Sequence, residues 1–542
     1  MKLDLSVTGG DQPPCFADLQ QCLAWIAALP LLNPAQTQAQ LLEQLRLLNG
    51  YTLPAAARLA MLEALREPIH FVQEESAKKF AGKPLPLSPV EQAALDAAHR
   101  LWQGLLMGYL RCLEALLAGD PGLAPQGATI CQRALAVLAD NHADLVRAGR
   151  QPDEGFWRFA HMLYASAEAL GAAETTVADP LRSDRPATPA ATYVELMLLA
   201  AVSLHELAPR QQAWVQRWTR RWSSKVEIRP EPPELQPALP LCVNLESATP
   251  PSFKPQAGEG ARWLDTAELR KSLKTRLALL AEDKSPASLG LGEDCSPSAC
   301  LETLQRIYPR WVKGGILRRH ARHPMSGPCR MVAGIDAIHY YVAGHQSFKP
   351  PGSADSDTLR RQRDELATFG RIATRFEEEY SRDHGFQLEN WEVIEDWGMF
   401  DQSEDGLRLR RPLAQGGGRL GIGQMVAVQP AGRSDMLLGV VRWTQQQDEA
   451  LNAGIQLMPG RPQPVALRRT GVMAAPDPYR PGFLLPGAGG QEGLDALVLP
   501  PGSFKAERIM ETWTQFATRR FKLKELIERG ADYERASCIE VA

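Results

Sequence analysis

The chain has 542 residues, 44% of them hydrophobic and 23% charged, and its 60 Lys and Arg against 63 Asp and Glu leave a formal net charge of -3. That length predicts two to four domains with ample material for packed cores. The near-neutral balance excludes wholesale coating of nucleic acid, which needs a broad positive surface, so any anion-binding function has to be local.

Nine cysteines lie at positions 15, 22, 112, 131, 242, 295, 300, 329 and 538, with no CxxC pair and no His placed to complete a zinc site. This pattern predicts reduced, mostly buried thiols in a cytoplasmic protein without a metal centre. The opening "MKLDLSVTGGDQPP" has no apolar core of the signal-peptide kind, and the best apolar run, "LMLLAAVSL" at 196–204, is too short to cross a bilayer. No membrane insertion is expected.

Residues 1–225 read as an all-α helical domain. In "LSPVEQAALDAAHRLWQGLLMGYLRCLEALLAGD", Ser88 suits the N-cap, Pro89 the first helical position and Glu91 the capping box. Leu95, Trp102, Leu105, Leu106, Tyr109, Leu113 and Leu116 then form one apolar stripe that Gly119 ends. "LPAAARLAMLEALREP" is expected to stop at Pro68 and "GATICQRALAVLADNHADLVRAG" near Gly149; two further helices follow in "GFWRFAHMLYASAEALG" and "YVELMLLAAVSLHELA". No repeat period recurs, which favours a bundle over a solenoid. His161, His205 and Trp102 are expected to be satisfied core or boundary side chains.

Residues 226–262 are proline-rich and read as an extended connector with "LCVNL" as one short strand. A helical lead-in over 263–315 follows, opened by Asp265 or Thr266 as cap. After residue 385 the period changes to short runs with alternation or β-branched content: "ENWEVIED", "GLRLRRP", "GQMVAVQP", "MLLGVVRW", "AGIQLMP" and "QPVALRR". Such runs predict a small antiparallel β-barrel over 316–470, and "GFLLP", "ALVLPP" and "IMETWTQFATRRFKLK" are expected to extend the sheet through a strand-rich 471–542. The fold class is α+β and multidomain.

Two motifs carry chemistry. "LRRHARHP" at 317–324 places Arg318 and Arg322 four apart with Arg319 beside them, in a window from Thr303 to Ile335 that holds no Asp or Glu. Planar guanidinium groups clamp phosphate oxygens and stack on nucleobases, although a solvated basic face explains the same charge run. "MFDQSEDGLRL" places Asp401, Ser403 and Gly406 at a turn between strands. Asp can accept from a guanine edge and Gly admits close backbone approach, although a hairpin turn alone explains the triplet.

Together the two motifs resemble the PilZ domain, a bacterial six-stranded barrel with R-x-x-x-R before its first strand and D/N-x-S-x-x-G at the next strand turn. "PCRMVAGI" fits the first strand, "LENWEVIEDWGMF" leads into the second motif, and "LLGVVRW…AGIQLM" is similar to the later strand pair. The resemblance covers roughly 316–470. It implies cyclic di-GMP as ligand, with Arg318 and Arg322 on phosphates and guanine, Arg319 as a third contact, and Asp401, Ser403 and Gly406 on base and ribose-phosphate. His320 and His323 are bystanders in this reading.

This chain departs from the family in two ways. Seventy-nine positions separate Arg322 from Asp401, which implies a helical insertion at about 345–385 containing a rival pair, Arg371 and Arg375. Glu404 and Asp405 also place two negative charges where a bis-phosphate approaches. "GGGRLG" at 416–421 satisfies G-x-G-x-x-G but runs into a strand and reads as a flexible loop. With no G-x-S-x-G, H-E-x-x-H or P-loop, the expectation is a non-enzymatic cyclic di-GMP effector that meets a protein partner through its helices, without a cofactor and without nucleic acid. The alternative is an adaptor whose barrel binds no nucleotide.

Overall fold

The computed structural model describes residues 10, 12–182, 187–233, 240–314, 323–346, 348, 394–470, 477–490, 494–514 and 517–541. The chain divides into two compact units, Met1–Lys83 with Leu87–Arg318 and Pro84–Pro86 with Arg319–Ala542.

The first unit is mainly helical: α1 (Leu19–Ala27), α2 (Pro34–Gly50), α3 (Ala55–Phe80), α4 (Pro89–Leu117), α5 (Gly127–Arg147), α6 (Glu154–Ala169), α7 (Pro189–Val202) and α8 (Pro209–Trp222). The capping box of α4 is present as its sequence predicts: the Glu91 amide donates to Ser88 Oγ at 3.4 Å and the Ser88 amide to Glu91 Oε2 at 2.8 Å. Helix α3, by contrast, runs straight through Pro68. The missing hydrogen bond costs roughly 3 kcal/mol, and the second half offsets it by fully burying Ile69, Val72 and Phe80.

The proline-rich stretch is not a free connector. Strands β1 (Glu227–Arg229), β2 (Leu241–Asn244) and β3 (Ala261–Asp265) form an antiparallel sheet in the order β1-β3-β2. The prolines fall outside these strands, where no sheet hydrogen bond is lost, and Leu241, Val243 and Leu264 join the helical core. Helices α9 (Ala267–Ala281) and α10 (Pro297–Val312) follow; Leu269, Leu273, Leu304, Ile307 and Trp311 enter the same core. The expectation of wholly reduced thiols also fails at one place. The N-cap turn of α10 brings Cys295 and Cys300 to a Cα separation of 6.2 Å, and they form a disulfide.

This core also holds a charged cluster. Arg182 bonds Asp140 and Glu195 at 2.6 Å each, Arg220 reaches the same two carboxylates at 2.5 and 3.2 Å, and Arg66 bonds Asp179 at 2.7 Å. Buried charges are tolerated when each one is paired, as here.

The second unit is two closed six-stranded barrels. The first consists of β4 (His323–Ala333), β5 (Glu395–Ser403), β6 (Gly406–Pro412), β7 (Met425–Pro430), β8 (Leu437–Gln447) and β9 (Ala450–Leu457), in the order β4-β5-β6-β9-β8-β7. A short helix α11 (Ile335–Val342) leaves β4, and most of the expected insertion after it lies outside the described residues. The stretch after 462 does not extend this sheet. It closes on itself as β10 (Gln463–Arg469), β11 (Arg480–Leu485), β12 (Asp495–Leu499), β13 (Ile509–Trp513), β14 (Thr518–Arg529) and β15 (Glu534–Val541), in the order β10-β11-β12-β15-β14-β13. Each barrel thus runs first, second, third, sixth, fifth, fourth, and closure removes every exposed edge.

The barrels share a core. Ile338 of α11, Met425 and Leu438 of the first barrel and Phe483, Val498 and Tyr533 of the second are all buried in one apolar cluster. Polar ties reinforce it: the Met425 amide donates to Asp532 Oδ1 at 2.8 Å, the Ala531 amide to the Gly423 carbonyl at 2.7 Å, and Arg442 pairs with Glu528 at 2.5 Å.

Candidate functional site

Strands β5 and β6 form a tight hairpin in which Ser403 faces Gly406 across a turn made by Glu404 and Asp405. Ser403 is buried, and its hydroxyl lies 3.1 Å from Asp405 Oδ1 and 3.4 Å from the Gly406 carbonyl. The hydroxyl is therefore engaged within the turn, and it draws the Asp405 carboxylate back against the hairpin. Gly406 suits the close packing here, since a Cβ would stand 3.0 Å from the Ile455 carbonyl oxygen. These interactions account for the serine and the glycine at their spacing.

Asp401 precedes the turn on β5. It pairs with Pro324 of β4 on one side and Arg408 of β6 on the other, while Gln402 pairs with His323. Arg318, Arg319 and Arg322 lie outside the described residues, as do Arg371 and Arg375. His323, the residue after Arg322 in sequence, opens β4 directly beside the hairpin that carries Asp401.

Strand pairing adds residues that the motifs do not contain. The ladder between β5 and β6 steps from Met399 to Asp401, so Phe400 is a bulged residue, and it is 50% exposed. A bulge of this kind re-aims a side chain, and here it sets the Phe400 ring centroid 4.9 Å from the Arg408 guanidinium carbon. Trp443 of β8 approaches the same guanidinium at 5.9 Å. The indole occupies the space over Gly454 of β9, where a Cβ would run into its Nε1. Asp401, Arg408, Gly454 and Trp443 thus form one row across four strands. Nothing local in the sequence marks this row, because its members are brought together only by register.

The glycine-rich loop at 416–421 is structural. It wraps Arg411, 2% exposed, which pairs with Glu395, donates to the Gly418 carbonyl at 2.9 Å and lies 4.9 Å over the Trp397 ring. Its expected looseness is corrected by this buried pair, which the loop backbone must enclose. The three core residues behave as expected. His161 Nδ1 meets the Tyr193 hydroxyl at 2.6 Å and Nε2 the Thr249 carbonyl at 2.9 Å, and Trp102 donates to Asp144 at 2.8 Å. Burial lowers the pKa of His161 and of His205. Among the described residues no cluster of His, Cys, Asp or Glu could hold a metal, and no helix is long and apolar enough to cross a membrane.

Two family models match the chain. Residues 20–233 match the N-terminal domain of the cyclic-di-GMP receptor FimW, and residues 241–395 match the middle PilZ domain of the same receptor. The second match ends at the first residue of β5, so it includes positions 318, 319 and 322 and stops short of 401, 403 and 406. The chain is 26% identical over 346 residues to the cyclic-di-GMP receptor FimW of Pseudomonas aeruginosa. The aligned stretch is 62% of this chain and spans 55% of the relative's length.

Proposed function

We propose, for a chain that belongs to a PilZ-containing family, that it is a cyclic di-GMP receptor whose nucleotide is held at the β5–β6 hairpin of the first barrel. The observation that carries the reading is the register of β4 against β5. It locks His323 and Pro324, which directly follow the arginine motif, alongside Gln402 and Asp401. Residues from two motifs 79 positions apart in sequence then serve one site.

In this reading Arg318 and Arg322 hold the phosphates, Arg319 adds a third cationic contact, and Asp401 accepts from the guanine edge. Gly406 and Ser403 contribute by holding the turn that presents Asp401. Several charge-assisted contacts of about 1–3 kcal/mol each bring affinity to the micromolar range. Glu404 and Asp405, both exposed, oppose this attraction, and the Ser403 hydroxyl turns the Asp405 carboxylate towards the hairpin without removing its charge. The protein acts as a non-enzymatic cytoplasmic effector in which nucleotide binding at the hairpin alters how the helical unit meets a protein partner.

Isothermal titration with cyclic di-GMP tests this. Wild type is expected to bind, and the Arg318→Ala/Arg322→Ala and Asp401→Ala variants to lose most of the affinity while keeping the wild-type melting temperature. Absence of binding by folded wild type overturns the reading.

A further inference from the structure

Along β6 the inward residues are Leu407, Leu409 and Arg411, at 1%, 0% and 2% exposure, and the residues between them, Arg408 and Arg410, face outward. Three arginines of the barrel are spent on carboxylates: Arg411 on Glu395, Arg433 on Asp435, Arg442 on Glu528. Among the described residues no carboxylate forms an ion pair with Arg408, and its Nε is buried without a hydrogen-bond partner. A buried N–H left unmatched is costly unless something else completes it. Phe400 and Trp443 meanwhile fix the orientation of this guanidinium, at 4.9 and 5.9 Å from their ring centroids. An oriented fork of donors stands directly across the ladder from Asp401, an acceptor.

We propose that the cross-strand pair of Arg408 and Asp401 reads guanine, and that Arg408 is therefore a specificity-determining ligand residue; this rests on the receptor reading above. Around its outer edge, which runs from the Hoogsteen to the Watson–Crick side, guanine presents N7 and O6 as acceptors and then N1–H and the N2 amino group as donors. Arginine donates bidentately to O6 and N7, and the carboxylate beside it accepts from N1–H and the amino group. Two donors followed by two acceptors match that edge in order. Adenine, with an amino group where guanine has O6 and a bare N1, meets donor against donor and acceptor against acceptor. Phe400 and Trp443 serve as positioning residues that keep the fork in plane.

The test compares the affinities of the full chain for cyclic di-GMP and cyclic di-AMP by isothermal titration. Wild type is expected to favour the guanine ligand strongly. Arg408→Gln is expected to lower affinity for cyclic di-GMP roughly 10-fold or more with little change for cyclic di-AMP. Arg408→Lys keeps the charge but not the fork and is expected to behave like Arg408→Gln, which separates edge recognition from simple attraction and serves if Arg408→Gln does not fold. Arg410→Gln removes an outward cation that faces Gly398 and Asn452, and it is expected to leave the ratio of the two affinities unchanged. A wild type that binds cyclic di-GMP while Arg408→Gln or Arg408→Lys keeps the wild-type ratio overturns this inference alone. A wild type that binds no cyclic di-GMP overturns the receptor reading and this one with it.

Discussion

Replacing Arg182 by Met exposes the logic of the charged cluster in the helical core. Arg182 is 5% exposed and spans two carboxylates that are themselves 8% and 5% exposed, Asp140 and Glu195, at 2.6 Å each. Among the described residues only Arg220, 26% exposed, then pairs with both, while His70 stands 3.9 Å from Asp140. Two guanidinium groups and two carboxylates cancel; Arg182→Met leaves one negative charge in excess in the interior. Breaking a buried pair on one side costs about 3–5 kcal/mol.

The pH dependence gives a second readout. Asp140 suffers desolvation, yet Arg182 and Arg220 together hold its pKa down at about 2. Its contribution is therefore present above the ordinary carboxylate pKa and is lost as pH falls through about 2. Without Arg182 less attraction opposes the burial, so protonation of Asp140 becomes easier than in wild type. The deficit of Arg182→Met should then shrink as pH falls from 7 towards 4. Urea denaturation followed by circular dichroism at both pH values measures this. A deficit below about 1 kcal/mol at pH 7, or one that grows at acid pH, refutes the account.

Two further outcomes follow from single contacts. Burial pushes Asp144 up to about 6 although Arg147 and the Trp102 indole oppose it, so its stabilising effect is present below the ordinary carboxylate pKa and is lost as pH rises through about 6. Asp144→Asn should stabilise the protein by on the order of 2 kcal/mol at pH 8 and have little effect at pH 4; equal denaturation midpoints for the two proteins at pH 8 contradict this. At Gly417, φ is +117° and a Cβ would run into the Arg411 guanidinium, whereas Gly416, at φ +69°, faces open space. Gly417→Ala should cost about 3–5 kcal/mol by displacing Arg411 from Glu395, and Gly416→Ala only about 1 kcal/mol; differential scanning calorimetry distinguishes the two, and equal losses would show that the loop does not enclose the pair.

Features closed within a few residues were legible in the sequence. The Ser88–Glu91 capping box, the end of α4 before Gly119 and the Asp401–Gly406 hairpin each depend on neighbours at most five positions apart, so residue type and spacing suffice to specify them. Strand content after residue 394 was legible from alternation for the same reason, although β15 was not singled out. Where local preference conflicted with distant packing, packing won: Pro68 sits inside α3 because Ile69, Val72 and Phe80 have a core to enter.

By itself, then, the sequence determined the helical first half, the β-rich second half and the two motifs that pointed to a nucleotide. Only the tertiary structure decided that the strands close into two barrels of one topology, and that Asp401 stands beside both the start of β4 and Arg408. Alternation tells which face of a strand is buried but carries no label for the strand it will pair with. That choice belongs to the whole sheet, and with it the row of Asp401, Arg408, Gly454 and Trp443 from which a ligand would be read.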